Sequence, residues 1–444
     1  MSQTFLARLQ FGFTVGFHYI FPPLTIGLAW LIVYFLWRFS RGGEEIHRTA
    51  ARFWTRIFAV SFVIGVATGI PMEFQFGTNW AQYARFVGDI FGAPLAIEGV
   101  FAFFLESVFL GVLLFGERRV SPRVHRFAAL MVAFGATLSG FWIIVANSWQ
   151  QTPTGFVLRN GRAELTSFLQ AVFNPSTMPR YLHTIDGALI TGAFFMMGLS
   201  ARYLLRSEHV EFARMSLRAS LVAGFAASVL QLPLGHVHAV QVAETQPVKL
   251  AAFEGLFQTQ RGAPFLVFGI PNSRTERVDL AVPIPGMLSL LVNFNPASEV
   301  KGLKDFPRDE WPPLRSSALT FHFMVMLGMY FIALTCLGVL LLLRKRLFET
   351  RWFLKLALWS IPLPFIANEL GWIAAEIGRQ PWAVYGVLRT ADAVSISVPA
   401  SSILASLIGF FLVYCLLFVL WIYLIGQKLR QGPEPSPHGQ EVHP

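Results

Sequence analysis

The sequence predicts an all-α integral membrane protein of nine transmembrane helices, with its N-terminus outside and its C-terminus in the cytoplasm. Three observations predict it. Of 444 residues, 54% are hydrophobic and 14% charged, against about a quarter charged in an ordinary soluble domain. The apolar runs recur along the whole chain rather than in one half, and the mean hydropathy is +0.54. The basic residues fall in short clusters between those runs. With 44 Phe and 2 Cys the chain is neither collagen-like, disordered nor a disulfide scaffold.

A helix that crosses a bilayer needs about 20 mostly apolar residues. Such runs centre on residues 12–37, 53–73, 93–115, 127–148, 183–203, 216–235, 318–343, 353–376 and 402–427. Backbone groups in lipid must be satisfied within their own segment, so these are helices rather than strands. The first run exceeds the about 7–15 residues of a signal-peptide core, and it is expected to stay in the mature chain. The single long connection, 236–317, is rich in Pro and charge, and residues 431–444 read as a disordered tail. Residues 1–430 then form one transmembrane unit. No internal repeat and no matching pair of interrupted spans stands out, which counts against an ion-coupled transporter.

Alternate connections carry Arg38, Arg41, Arg48 and Arg52; Arg118, Arg119, Arg123 and Arg126; Arg202, Arg206, Arg214 and Arg218; and Arg344, Lys345, Arg346, Arg351 and Lys355, with Lys428 and Arg430 near the end. The other side, leaving out the long connection, has only Arg8, Arg85, Arg159, Arg162, Arg180, Arg379 and Arg389. The positive-inside rule therefore places the N-terminus and the long connection outside. It also explains the net charge of +10 without nucleic acid. Cys336 and Cys415 sit inside apolar runs and read as packed thiols.

Ionisable groups at membrane depth are costly and are functional candidates by default. His47, His125, His209, His438 and His443 fall in cytoplasmic connections or the tail, whereas His18, His183, His236, His238 and His322 lie on spans or at their outer ends. His236 and His238, at the start of the long connection, read as capping or interface groups. Glu98, Glu106, Asp186 and Glu369 are on spans, with Glu73 and Glu376 at outer ends. At 1.5 Å rise per residue, His18, Glu98, His183, Met324 and Glu369 share one outer layer about 10 Å thick, although they come from spans one, three, five, seven and eight. Glu106 lies two turns below Glu98, about 12 Å along the axis and within about 80° of azimuth, with Ser139 on the next span to extend a polar ladder. Neutral imidazole and thioether are haem-iron ligands, and a His and a Met at matched depth on different helices are what a six-coordinate haem requires. His322 and Met324 diverge by about 200° around a helix, so only one of them can face such a haem. These residues alone point to a membrane redox protein or an ion-coupled transporter.

Several segments then carry a resemblance. They are RLQFGFTVGFHYIFPPLTIG (8–27), APLAIEGVFAFFLESVFLG (93–111), WIIVANSWQQTPTG (142–155), HTIDGALITGAF (183–194), KLAAFE (249–254), FHFMVMLG (321–328) and PLPFIANELGWIAAEIGRQPW (362–382). On these the chain resembles subunit I of the cytochrome bd family of quinol oxidases from end to end. The resemblance implies three haems. A low-spin haem b would be held by His183 and Met324. A high-spin haem b and a haem d, or a further haem b in its place, would take His18 and Glu369. Many members carry Arg where this chain has His322, and the aromatic upstream of the acid, often Trp, is here Phe365. Glu98 and Glu106 would bring protons from the cytoplasm. Lys249 and Glu254 would meet the quinol, brought within reach of each other on a short helix, with Glu254 as proton acceptor. Arg379 would pair with haem propionates. The length of the connection resembles the short-loop, cyanide-insensitive-like branch.

The implied activity is quinol oxidation near the outer face and reduction of O2 to water, in a bacterial cytoplasmic (inner) membrane. The implied partners are a homologous second oxidase subunit and small single-span subunits. A di-haem cytochrome b of another quinone oxidoreductase is the rival enzyme, and it would need His–His pairs and no GRQPW segment.

Overall fold

The structure, a computed structural model, describes residues 2–434. The part of the expected tail beyond residue 434, with His438 and His443, lies outside the described residues. The first span is made of α1 (Gln3–Tyr19) and α2 (Phe21–Gly42), and the second is α3 (Glu45–Thr78). The third joins α4 (Ala81–Ile97), a π-helical segment (Glu98–Phe103) and α5 (Phe104–Phe115), and the fourth is α6 (Pro122–Gln151). After the short α7 (Phe168–Val172) come α8 (Thr177–Arg206) and α9 (Val210–Thr245). The long connection carries α10 (Pro247–Phe253) and α11 (Met287–Asn293) and leads to α12 (Leu314–Leu343). The eighth span consists of α13 (Arg351–Trp359) and α14 (Leu363–Ile377). The ninth, α16 (Ala400–Gln431), follows the short α15 (Thr390–Ala393). Among the described residues there are thus 9 helical segments long and apolar enough to cross a membrane.

Local chemistry sets the ends of these helices. Ser2 Oγ accepts from Phe5 N–H, and Ser121 Oγ accepts from Val124 N–H just before Pro122, which opens α6. Gly43 ends α2 at φ 70°, a left-handed conformation that glycine adopts without a Cβ penalty. At one end of the bundle Gln3 donates to the carbonyls of Ser395 and Val398, and at the other Arg56 pairs with Glu434 at 2.7 Å. The two ends of the described chain therefore lie at opposite ends of the bundle. Glu117 accepts from Arg48 and Arg52 at 2.7 and 2.6 Å, tying the start of α3 to the end of α5.

Three expectations need correction. Spans one and eight are both interrupted. Pro22 and Pro23 open a new helix at Phe21, and Pro362 does the same before α14, because proline cannot donate to the preceding turn. The long connection begins at residue 246 rather than 236, since α9 runs on to Thr245 and keeps His236 and His238 on a helix. The third span is not uniformly α-helical, and the π segment between Glu98 and Glu106 breaks the azimuth expected of a regular helix.

The main core packs α2, α3 and α8 through Phe21, Phe35, Trp54, Phe58 and Tyr203. At the crossing of α2 and α8, Gly27 meets Gly192, and a Cβ on Gly192 would lie 2.7 Å from Leu28 N and nearer still to the backbone of Gly27. Replacing Gly192 by Leu is expected to cost about 1–3 kcal/mol by overpacking, read as a lower melting temperature of the purified protein. Gly409→Leu is the control: a Cβ there meets nothing within 4 Å, and no loss is expected.

Candidate active site

One cavity of about 2020 Å3 runs through the bundle. His18, Glu98, Glu106, Ser139, His183, Lys249, Glu254, Met324, Glu369 and Arg379 all line it. The bundle and the long connection thus bring every site residue expected from the sequence to one internal surface. Glu73, Arg180, His236, His238 and Glu376 line it as well.

On α1, His18 Nδ1 lies 3.1 Å from Gly65 O and 3.1 Å from Thr68 Oγ1. The Thr68 hydroxyl donates to Gly65 O at 2.9 Å, so both neighbours of Nδ1 are acceptors and Nδ1 carries the proton. The lone pair of this ring is therefore on Nε2. Gly69 makes room for the imidazole, since a Cβ there would stand 3.1 Å from His18 Cε1. On α8, His183 Nδ1 has no hydrogen-bond partner, and Gly235 leaves space beside the ring. The His238 ring stands 5.6 Å from that of His183, a neighbour that its expected place in a loop did not foresee.

His322 and Met324 diverge as their spacing requires. His322 is buried away from the cavity, with Nε2 3.1 Å from Phe253 O. Met324 lines the cavity, and its Sδ occupies space that a Cβ on Gly371 would invade at 2.8 Å. Phe365 packs into the main core near Phe195, whereas Trp372 is the α14 aromatic that faces the cavity.

Among the acids, Glu369 Oε1 has no partner, and Gly16 on α1 leaves room for its Oε2, at 3.2 Å from a Cβ position. Seven residues on, and so on nearly the same face of α14, Glu376 is fully engaged. It accepts from Asn147 at 2.9 Å and Gln151 at 3.3 Å, and pairs with Arg379 at 2.5 Å. Glu98 opens the π segment and accepts from Ser139 Oγ at 2.7 Å. Glu106 packs against the same stripe of α6 one turn away, its Cβ 3.1 Å from a Cβ position on Gly135. Asp186 is buried with both carboxylate oxygens unpartnered, outside the cavity lining.

At the loop end, Lys249 is 1% exposed and donates to Gln151 Oε1 at 2.7 Å and Gln246 Oε1 at 2.9 Å. Burial, and after it the guanidinium of Arg180, holds its pKa well below the ordinary lysine value. Glu254, 3% exposed, accepts from Leu266 N–H at 3.4 Å. Burial pushes its carboxyl up to about 8. These two side chains were expected to reach each other, yet they bond to different partners. Five residues is about 140° around a helix, and Glu254 already caps α10. Arg379 donates to Gln150 as well as Glu376. Arg180, read from the sequence as a connecting-segment charge, is instead a buried group of α8 that donates to Asn147 at 3.3 Å. The Nε atoms of Arg180 and Arg379 have no partner.

The donor set fits haem rather than a bare metal ion. Among the described residues no cluster of three or more His, Cys, Asp or Glu side chains could hold a metal. The lining instead offers single nitrogen and sulfur ligands on facing helices, glycines that clear space beside them, and unpartnered guanidinium nitrogens suited to carboxylates.

Glu254 binds a proton in the folded state between its ordinary value of 4.5 and about 8. The folded state then holds more protons than the unfolded one, so this group makes stability fall as pH rises across that window. Glu254→Gln is expected to remove that contribution. The difference in melting temperature between variant and parent, followed from pH 5 to 8, should grow with pH in favour of the variant; a flat difference refutes the assignment.

The fold and the sequence as a whole resemble known proteins. A family model described as cytochrome bd terminal oxidase subunit I matches residues 6–433. Cytochrome bd ubiquinol oxidase subunit 1 of Bacillus subtilis (strain 168) is 39% identical over 448 residues, covering 99% of this chain and 96% of the relative. Cytochrome bd-II ubiquinol oxidase subunit 1 of Escherichia coli (strain K12) is 36% identical over 496 residues, covering 96% of each. The structure of bd oxidase from Geobacillus thermodenitrificans superposes with a TM-score of 0.92 at 30% identity, over 97% of this chain and 99% of that one. The chain belongs to the cytochrome bd terminal oxidase subunit I family.

Proposed function

We propose that this chain is the catalytic subunit of a terminal quinol oxidase. It takes electrons from quinol at the Lys249–Glu254 end of the cavity and delivers them to O2, which is reduced to water. The observation that carries the reading is the continuity of the cavity: the candidate quinol-contacting, ligand and proton-carrying residues all line it. Two quinols supply the four electrons that one O2 requires, and two waters take up four protons. The basic clusters support an orientation with the long connection outside a bacterial cytoplasmic membrane. A homologous second subunit, with small single-span subunits, completes the assembly.

His183 and Met324 would hold a low-spin haem b. His18 and Glu369 would hold a high-spin haem b and a haem d or a further haem b. Haem iron held at these positions would supply one-electron carriers and a site where oxygen is reduced. The protein's own groups do the rest. Gly65 O fixes the His18 tautomer so that Nε2 presents its lone pair. Arg379 and Arg180, whose Nε atoms are unpartnered, would offer N–H groups to haem propionates. Lys249 would position a quinol oxygen, and Glu254, whose carboxyl burial pushes up to about 8, would accept a hydroxyl proton in its deprotonated form. Glu106 and Glu98, packed against one stripe of α6 at Gly135 and Ser139, pass protons from the cytoplasmic side.

A second assignment of the acid ligand has its own support. Ligating carboxylates are themselves hydrogen-bonded by a surrounding shell, and Glu376 has such a shell in Asn147, Gln151 and Arg379, whereas Glu369 has none.

Reduced-minus-oxidised spectra with quinol-driven oxygen uptake test the function. Haem b bands with uptake are expected, and a red-shifted chlorin band if haem d is present. Absent bands refute the reading, and b bands without uptake favour the di-haem cytochrome b. Met324→Leu should abolish the low-spin spectrum while His322→Ala only perturbs it; the reverse would move the ligand to His322. Glu369→Gln should remove a high-spin signal that Glu376→Gln retains, and the opposite pattern would transfer the ligand to Glu376. Glu106→Gln should slow turnover by about 10- to 100-fold, the scale of a lost proton-transfer group; unchanged turnover and charge separation would refute the path.

A further inference from the structure

We propose that an apolar slot between α9 and α12 opens sideways into the bilayer beneath the long connection and holds the polyprenyl tail of the quinol. The proposal rests on the quinol reading of Lys249 and Glu254.

The two helices are packed tightly away from the connection and part as they approach it. Leu217, Leu221 and Ala227 of α9 share one core cluster with Phe331 and Leu334 of α12. A Cβ on Gly338 would stand 2.6 Å from Leu221 Cδ1, and one on Gly224 3.8 Å from Thr335 Cγ2. Beyond that level the character of the contact changes. Leu232 and Pro233 on α9, with Val325, Gly328 and Met329 on α12, line the cavity instead of closing it. Leu232 is 58% and Met329 51% exposed, so the cavity wall and the lipid-facing surface meet at these side chains. A Cβ on Gly328 would meet nothing within 4 Å. The parting begins where Pro233 removes one rung of the α9 hydrogen-bond ladder.

The connection roofs this gap. The Phe294 ring, at the end of α11, lies 5.5 Å from that of His236 on α9. The Phe268 ring, on the strand Phe265–Asn272, lies 6.4 Å from that of Phe323 on α12. The slot is thereby covered toward water and left open toward lipid. It is continuous with the polar end of the cavity, where Lys249 and Glu254 sit beyond the stacked Phe253 and Phe321 rings. From Leu232 to the end of α9 is about 20 Å by helix rise. The slot therefore has a polar head site at one end and, at the other, a lateral mouth whose lipid-facing side chains, Leu232 and Met329, are apolar. That ordering is the ordering of a lipid quinol, with ring at the top and chain toward the bilayer.

The test compares substrates that differ only in the tail. Gly328→Leu and, independently on the other helix, Leu232→Trp are assayed in proteoliposomes with a long-chain quinol and with tail-less duroquinol. Gly328→Ala serves as the mild variant, and an unchanged haem spectrum reports folding. The slot-filling variants are expected to raise KM about tenfold for the long-chain quinol, equivalent to about 1.4 kcal/mol of lost binding, and to leave duroquinol unaffected. Equal effects on both substrates, or on neither, overturn the proposal. A long-chain quinol with a diazirine on its tail should label α9 and α12 at the slot. Labelling there by a diazirine phospholipid that quinol does not displace would assign the slot to lipid and overturn it as well. If the parent oxidises neither quinol, the function reading fails separately, and the labelling still reads the slot.

Discussion

The expense of charge in hydrocarbon is the constraint on which this structure depends. Glu98, Glu106, His18, His183 and Glu369 sit at levels where facing lipid would cost several kcal/mol each, and each is turned instead toward one interior surface. The helices are arranged so that those side chains share walls. Gly16, Gly69, Gly235 and Gly371 then clear the space beside them, each at a point where a Cβ would press on Glu369, His18, His183 or Met324. The cavity is thus as much the product of missing side chains as of present ones.

Helix irregularities aim the groups that line it. The break after Tyr19 follows His18 directly, the π segment begins at Glu98, and the break before Leu363 precedes the turns that carry Glu369 and Glu376. A straight α-helix repeats every 3.6 residues and has limited freedom to choose a direction for one side chain. Prolines and a π turn supply that freedom at the cost of a ladder bond. The same devices made part of the site hard to read. The eight-residue interval from Glu98 to Glu106 assumed uniform geometry, and the five-residue interval from Lys249 to Glu254 assumed that proximity in sequence meant contact.

What the sequence did make legible was carried by period and depth. Nine apolar runs located nine spans, and matched depth grouped residues from five of them on one surface. Spacing also separated His322 from Met324, and the structure sends one to Phe253 O and the other to the cavity. The remainder depended on facts that no local pattern encodes. Arg180 looked like a charge in a connection because α8 starts earlier than hydropathy suggests. Glu376 looked like a group at the surface because its partners, Asn147 and Gln151, are more than 220 residues away on α6. Trp372 and Phe365 are both aromatic residues of α14, and only tertiary packing decides which of them meets the cavity.

The contact between Gly27 and Gly192 has a mechanical consequence. With no side chain between them, α2 and α8 lie backbone to backbone, and neither can slide or tilt without the other. His183 belongs to one of these helices, and the other continues the span that carries His18. The contact thus fixes α8 against the helix that follows His18 across the break at Ile20. In the proposed oxidase, centres held at these two imidazoles would keep a fixed spacing, and the two glycines would set it.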